Sequence, residues 1–244
     1  MVTDSIIVLN DPKSPAAEAY RMVRTNLDYT NIDHDNKVMI VTSSKTQEGK
    51  TTTICNLAAT LSQDGKKVLL VDCDLRKPRI HKLFNLSNQI GLTNILTNQN
   101  TLEEGIQQIE ELPKLFIMPS GPIPPMPSEL LGSKRMCQLL EDIAKDYDYV
   151  LIDTPPVLSV TDASIIAGKV DGVILTVAMG ETHKDAIRTA VKSLERVEAN
   201  MLGVILTKAD VNKKGYYYYY DYGYQHEEKE KKKWWGKREK KAVE

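Results

Sequence analysis

A short polar loop follows an apolar, strand-like run at residues 38–42. From Ser44 onward it matches the pattern GxxxxGK[ST] at every fixed position except the first, where serine replaces glycine. Backbone N–H groups of such a loop, at the start of a helix, surround a phosphate group. Lys50 would then reach the β- and γ-phosphates, and the Thr51 hydroxyl would take a Mg²⁺ position. The predicted nucleotide-binding residues are Ser44, Lys45, Thr46, Gln47, Glu48, Gly49, Lys50, Thr51 and Thr52.

Two further apolar runs end in acidic residues: residues 68–71 lead to Asp72 and Asp74, and residues 149–152 lead to Asp153. Carboxylates at strand ends can hold the Mg²⁺ of a nucleotide, directly or through water, because this ion prefers oxygen ligands. Asp72 and Asp74 are separated by one residue, so both point to the same side of an extended chain. The alternative is that these acids are solvated turn residues or helix caps. The candidate catalytic residues are Lys50, Asp72, Asp74 and Asp153, and the candidate Mg²⁺ ligands are Thr51, Asp72 and Asp153.

Strand and helix patterns alternate along the chain, which predicts a doubly wound α/β fold with a mostly parallel sheet. The strands are rich in Val, Ile and Leu, as is typical of strands covered on both faces. Ligands of such folds bind at the carboxyl ends of the strands. Asp162 is the predicted N-cap of one helix. The predicted strands are 38–42, 67–71, 115–118, 149–152, 172–177 and 201–206, and the predicted helices are 14–27, 50–64, 133–146, 162–167 and 182–197.

Composition excludes several classes of protein. Lys plus Arg number 32 and Asp plus Glu 33, so no overall basic excess indicates a nucleic-acid partner. The three cysteines form no CxxC pair, and the four histidines lie far apart, so we expect neither a disulfide scaffold nor a zinc site. No signal peptide is recognisable, and no apolar run reaches the ~20 residues of a membrane span. We therefore expect a cytoplasmic chain.

The C-terminal part differs in composition from the rest. It predicts a division into a folded domain, residues 1–211, and a flexible tail, residues 212–244. Residues 225–244 hold eight Lys or Arg, five Glu and two Trp, which leaves open a contact with anionic lipid. Phosphates on the tyrosines would make this tail strongly acidic. Seven of the 11 tyrosines are clustered here: Tyr216, Tyr217, Tyr218, Tyr219, Tyr220, Tyr222 and Tyr224.

Taken together, the motifs resemble those of the bacterial tyrosine kinases of capsule and exopolysaccharide synthesis. The resemblance rests on the loop at 44–51, on LLVDCDLRKP at 69–78 and on VLIDTPP at 150–156. GPIPPMPSELL at 121–131 is similar to the family's GPxPPNPxELL stretch. Glu18, Arg21 and Arg24 resemble its ExxRxxR element, which builds a ring-shaped oligomer. By spacing alone, these three residues would form a solvated helix face with an intrahelical ion pair.

The resemblance implies an ATP- and Mg²⁺-dependent protein-tyrosine kinase of the P-loop fold that autophosphorylates its tyrosine cluster in trans. Asp72 is then the first candidate for accepting the tyrosine proton and Asp74 the second, and Arg76 would shape their turn. The resemblance also implies a membrane-anchored activator of the polysaccharide co-polymerase type. The kinase would be recruited to the inner face of the membrane and would regulate polysaccharide synthesis there.

Two departures from the family pattern are visible. Thr46 and Gln47 stand where many relatives have Pro-Gly, and Met126 stands where Asn is usual. Lys45 falls where the ParA/MinD-type ATPases carry an extra lysine. The alternative function is therefore a nucleotide-dependent assembly switch of that type, which would release inorganic phosphate and form no phosphoprotein.

Overall fold

The computed structural model describes residues 5–31 and 36–209 of the 244-residue chain. The strands are β1 (Val38–Ser43), β2 (Val68–Asp72), β3 (Gln107–Ile109), β4 (Leu112–Met118), β5 (Tyr149–Asp153), β6 (Gly172–Ala178) and β7 (Met201–Thr207). The helices are α1 (Ile7–Asn10), α2 (Pro15–Thr30), α3 (Lys50–Gln63), α4 (Ile80–Leu83), α5 (Leu92–Leu96), α6 (Pro127–Gly132), α7 (Lys134–Asp146), α8 (Asp162–Ala167) and α9 (Lys184–Glu195), with a 3₁₀ turn at Glu103–Gly105. None of the helices within these described ranges has the length and apolar character needed to cross a membrane.

The seven strands form one sheet in the order β3-β4-β2-β5-β1-β6-β7. All neighbours are parallel except β3 and β4. The chain leaves β1 for β2 on one side of it and reaches β6 on the other, so the end of β1 lies where the winding reverses. Ligands of doubly wound sheets bind at such a reversal. The predicted fold class is confirmed.

Helices cover both faces of the sheet and enclose two apolar clusters. One cluster joins α7, α8 and α9 to the sheet through residues such as Leu140, Ile166 and Leu194. The other joins α2 and α3 to the opposite face through Leu27 and Leu57. Every residue of β1, β2 and β5 is buried as a result. The predicted burial of these central strands on both faces is confirmed.

Two strands differ from the prediction. The edge strand β7 is not covered on both faces, since Val204 is 50% and Leu206 60% exposed. Its apolar sequence resembles that of the central strands, but the sheet ends there. The antiparallel strand β3 was not predicted, because its three residues, two of them glutamine, are too few to show a strand pattern.

The predicted helices differ from the observed ones by only a few residues at their ends. Helix α2 begins where predicted, since the Ser14 hydroxyl caps it by accepting a hydrogen bond from the Ala17 N–H, but it continues to Thr30. The predicted N-cap role of Asp162 is wrong: Thr161 holds that position, and the Asp162 carboxylate binds Arg76 instead. The unpredicted helices α1, α4, α5 and α6 have four to six residues, which is too short for helical periodicity.

Candidate active site

The loop between β1 and α3 contains one glycine, Gly49, in a backbone conformation that favours this residue type. Gly49 caps α3 with a φ of +82°, and a Cβ there would approach the Thr207 side chain to 3.3 Å. Gln47 also has a positive φ, +65°. The left-handed turn is therefore kept at the position where many family members have glycine, at a strain cost of roughly 1–2 kcal/mol.

The carboxylate of Glu48 lies buried inside this loop and holds its two ends together. It accepts hydrogen bonds from the Ser44 N–H at 2.8 Å, the Lys45 N–H at 3.1 Å and the Ser44 hydroxyl at 2.8 Å. A further bond of 2.5 Å comes from the Thr182 hydroxyl. The serine that replaces the first glycine of the motif thus supplies a donor to Glu48.

Lys50 lies at the start of α3, and its ammonium group faces two carboxylates. Its Nζ is 3.4 Å from Asp74 Oδ2 and 3.7 Å from Asp153 Oδ1. Burial alone would lower the pKa of Lys50, but the charges of Asp153 and Asp74 outweigh it and raise that pKa. The side chain is therefore a cation in the protein without nucleotide, held where phosphate oxygens would replace its carboxylate partners.

Thr51 and Asp153 supply the oxygen atoms that suit a Mg²⁺ ion. The Thr51 hydroxyl donates to Asp153 Oδ2 at 2.6 Å, while Asp153 Oδ1 is buried and accepts no hydrogen bond. Asp153 Oδ1 faces the Lys50 ammonium group at 3.7 Å, beyond hydrogen-bond distance, and could bind a cation that prefers oxygen ligands. The part of the chain that the structure describes contains no group of three or more His, Cys, Asp or Glu arranged for a metal. The two oxygen-bearing side chains of Thr51 and Asp153 would suit a nucleotide-bound Mg²⁺ ion, which keeps several waters and is held by one or two carboxylates and by phosphates.

Asp72 lies at the end of β2, directly beside Asp153 at the end of β5. Its carboxylate accepts hydrogen bonds from the N–H groups of Arg79 and Ile80 at 3.0 Å each, and of Asp74 at 3.2 Å. Burial and the charge of Asp153 raise its pKa to about 7, although the backbone donors of Ile80 and Arg79 oppose this. A carboxylate with such a pKa can accept a proton near neutral pH.

The structure thus brings together the predicted phosphate loop and all four predicted catalytic residues. Thr182 and Thr207 were not predicted, although both hydroxyls hold Glu48: Thr207 donates to the Glu48 carbonyl at 2.7 Å. They lie at least 134 residues away from Glu48 in sequence, and no local motif marks them.

The three predicted oligomerisation residues lie on α2, apart from this cluster. Arg21 pairs with Glu18 at 2.7 Å, and Arg24 pairs with Asp64 at 3.1 Å. The intrahelical ion pair expected from spacing alone is therefore present in the single chain. The predicted phosphorylation sites, Tyr216–Tyr220, Tyr222 and Tyr224, lie outside the described residues.

Comparison with known proteins shows the family to which this chain belongs. A family model described as an AAA domain matches residues 36–205. The tyrosine-protein kinase YwqD of Bacillus subtilis is 41% identical over 216 residues, which cover 87% of this chain and 91% of YwqD. The chain belongs to the bacterial tyrosine-protein kinases. A second member of this family, the putative tyrosine-protein kinase CapB of Staphylococcus aureus, is 34% identical, with 87% and 92% of the two chains covered.

Solved structures also match the backbone of this chain. The chimerical protein CapA2B2 matches with a TM-score of 0.80 and 38% identity over 84% of this chain and 89% of its own. The kinase domain of Escherichia coli ETK matches with a TM-score of 0.78 and 33% identity, covering 84% and 82%. MinD of Pyrococcus horikoshii, at 23% identity and a TM-score of 0.59, shares the fold alone. The kinase interpretation is therefore supported over the MinD-like switch.

Proposed function

We propose that this protein-tyrosine kinase transfers the γ-phosphoryl group of ATP to tyrosines of the cluster at residues 216–224 in a neighbouring copy. The observation that carries the proposal is the convergence of Lys50, Thr51 and three carboxylates at the adjacent ends of β1, β2 and β5. Phosphoryl transfer depends mainly on positioning and on neutralising charge, and this cluster provides groups for both.

Lys50 and the backbone N–H groups of the loop would bind the phosphates and stabilise the transferring group. Thr51 and Asp153 would hold Mg²⁺, with Asp72 contributing through water. When bound, Mg²⁺ neutralises negative charge on the phosphate oxygens. The ion pairs of Lys50 with Asp74 and Asp153 keep its ammonium group in place before the nucleotide arrives.

Asp72 is the first candidate for the base that accepts the tyrosine proton, and Asp74 is the second. The raised pKa of Asp72 favours the first assignment. Asp74 lies nearer to the surface, which favours the second. Asparagine at the base should abolish transfer and leave ATP binding largely intact. If Asp74→Asn alone gives this pattern, the two roles are exchanged.

For the acceptor, the partner and the place of action, the proposal rests on family membership. A tyrosine of one copy would enter the site of the next within a ring held by α2, and Glu18, Arg21 and Arg24 would contribute to its contacts. The CapA2B2 chimera supports a second, activating chain, for which we propose a membrane-anchored protein of the polysaccharide co-polymerase type. The kinase would act at the inner face of the membrane and regulate capsule or exopolysaccharide synthesis. The similarity to a putative kinase from the cps region of Klebsiella pneumoniae supports this role.

Mass spectrometry of the tail peptides tests the proposal. The protein is expressed with and without a fragment of the activator, and Lys50→Met is the catalytic control. Phosphate on the tyrosines that disappears in Lys50→Met is the expected result. Binding of ATP with release of inorganic phosphate and an unmodified tail, even with the activator present, would contradict it. That result would favour the assembly switch.

A further inference from the structure

The stretch GPIPPMPSELL at residues 121–131 follows β4 and includes all of α6 except its last residue. Its Ser128 lies in the first turn of α6, and the Ser128 hydroxyl donates to Asp162 Oδ1 at 2.6 Å. Asp162 begins α8, nine positions after Asp153. The stretch therefore connects to the segment that follows the β5 carboxylate.

Arg76, which follows the acidic end of β2, also binds Asp162 and Ser128. Its Nε donates to Asp162 Oδ2 at 2.8 Å, and its Nη2 donates to Asp162 Oδ1 at 3.0 Å. The same Nη2 donates to the Ser128 hydroxyl at 2.9 Å. We call these three side chains, Arg76, Ser128 and Asp162, the arginine clamp. A two-point guanidinium–carboxylate pair fixes orientation as well as distance, which a lysine cannot do.

The clamp holds a fully buried carboxylate, since Asp162 has no exposed surface. Burial opposes its ionisation, but Arg76 and Ser128 outweigh that effect and lower the pKa of Asp162. The Arg76 side chain is 38% exposed, so solvent screens this ion pair, and it is poor evidence for a gain in stability. The two-point hydrogen bonding between Arg76 and Asp162 is better explained by a role in positioning the neighbouring active-site residues.

Arg76 belongs to the same turn as Asp74. The Lys77 N–H closes that turn by donating to the Asp74 carbonyl at 3.2 Å and to Asp74 Oδ1 at 3.0 Å. The other oxygen of Asp74 faces Lys50 at 3.4 Å. Fixing Arg76 on Asp162 therefore fixes the turn that carries Asp74 into the active site.

We propose that Arg76 is a positioning residue, which holds the Asp74 turn at the active site by clamping it to Ser128 and Asp162. The clamp joins the turn after β2 to the segment after β5, so the two acidic strand ends keep a fixed separation. The proposal deepens the proposed function and rests on it where it concerns phosphoryl transfer to tyrosine. Its structural part, the fixed turn, stands independently.

Four variants of the full chain test the clamp: Arg76→Ala, Arg76→Lys, Ser128→Ala and Asp162→Asn. Arg188→Ala is the matched control, because Arg188 forms an exposed pair with Asp185 on α9 at 3.4 Å. We expect kcat for tyrosine phosphorylation to fall about ten- to a hundredfold in Arg76→Ala, since small displacements at a reacting centre have effects of that size. The KM for ATP should change less than about twofold, because Arg76 makes no contact that would bind ATP equally in the ground state and the transition state. Arg76→Lys should recover only part of the rate.

Hydrogen exchange of the backbone amides gives a readout that does not depend on kinase activity. The amides of Asp74, Lys77, Arg79 and Ile80 donate to Asp72 or Asp74, so their exchange reports on the turn. We expect their exchange to accelerate in Arg76→Ala and Ser128→Ala, with the amides of α3 unchanged. Unchanged exchange in the turn would overturn the proposal, as would equal acceleration in α3, which indicates a general loss of stability. If the wild type transfers no phosphate to tyrosine, the proposed function fails while the exchange result still decides the clamp.

Discussion

The Thr182 hydroxyl, located between β6 and α9, donates a hydrogen bond of 2.5 Å to the buried carboxylate of Glu48 in the phosphate loop. The Thr207 hydroxyl at the end of β7 donates to the Glu48 carbonyl at 2.7 Å. The segment after β6 and the last residue of β7 carry none of the candidate catalytic groups, yet they hold the loop from the side of the sheet opposite β2 and β5. The loop conformation depends on these contacts as well as on its own sequence.

Thr182→Val removes one donor from Glu48 with little change in volume. We expect ATP affinity to fall several-fold, because the buried carboxylate loses a hydrogen bond worth about 1–3 kcal/mol. Titration with a fluorescent ATP analogue measures the affinity. The matched control is Thr189→Val, since the Thr189 hydroxyl makes a local bond to the Asp185 carbonyl on the exposed face of α9. Equal affinities of the Thr182 variant and the wild type would contradict this account of the loop.

Asp72 should make the stability of the nucleotide-free protein depend on pH. Its pKa is about 7 in the folded protein, against a usual value of 3.8. The folded state therefore holds a proton that the unfolded state releases, and the resulting stability is lost as pH rises from about 4 to about 7. The stability of Asp72→Asn relative to the wild type should accordingly increase over this range, by at most about 4 kcal/mol.

Urea unfolding at several pH values, with EDTA present, measures this difference. Asp148→Asn is a suitable control. Asp148 accepts a hydrogen bond from the Lys67 N–H just before the opposite end of β2, and it is exposed whereas Asp72 is buried. A constant difference between Asp72→Asn and the wild type from pH 5 to pH 8 would show that Asp72 is ionised throughout.

The site features that the sequence predicts are those whose residues lie close together along the chain. The loop motif and the acids at the ends of β2 and β5 are each contained in about ten residues, and parallel strands bring their ends to one edge of the sheet. The contacts of Thr182 with Glu48 and of Arg76 with Asp162 span 134 and 86 residues. Such pairs depend on helix positions that no local pattern records. Burial of β7 was predicted from the same apolar composition as the central strands, but composition does not show which strand ends the sheet.

Gln47→Gly should stabilise the protein by about 0.5–1 kcal/mol. The φ of Gln47 is +65°, a conformation that glycine adopts without a steric cost. Thermal or urea unfolding measures the gain. Gln138→Gly on the exposed face of α7 is the control, and it should destabilise by about 1 kcal/mol because that position is helical. A loss of stability in Gln47→Gly would show that the Gln47 side chain contributes more than its strained backbone costs.

Replacing Glu18, Arg21 and Arg24 together by alanine should convert the proposed ring into monomers. The folded domain should remain stable, since exposed ion pairs such as Arg21–Glu18 contribute only about 0–1 kcal/mol each. Size-exclusion chromatography with light scattering gives the mass of the assembly. The double variant Asp185→Ala and Arg188→Ala removes another exposed i,i+3 pair and should leave the assembly intact. A triple variant with an unchanged mass would remove these residues from the interface.

Thr51 and Thr52 differ in one respect that isolates the role of the metal. The Thr51 hydroxyl donates to Asp153 Oδ2 at 2.6 Å, whereas Thr52 is exposed on the next position of α3. Thr51→Val should therefore remove the increase in ATP affinity that Mg²⁺ produces, while Thr52→Val should keep it. Titrations of ATP with Mg²⁺ and with EDTA measure both affinities in each variant. An equal Mg²⁺ effect in the two variants would assign the ion to the phosphates and Asp153 without the Thr51 hydroxyl. A loss of affinity without Mg²⁺ as well would show that Thr51 contributes to the loop itself, since Thr51 is the second residue of α3.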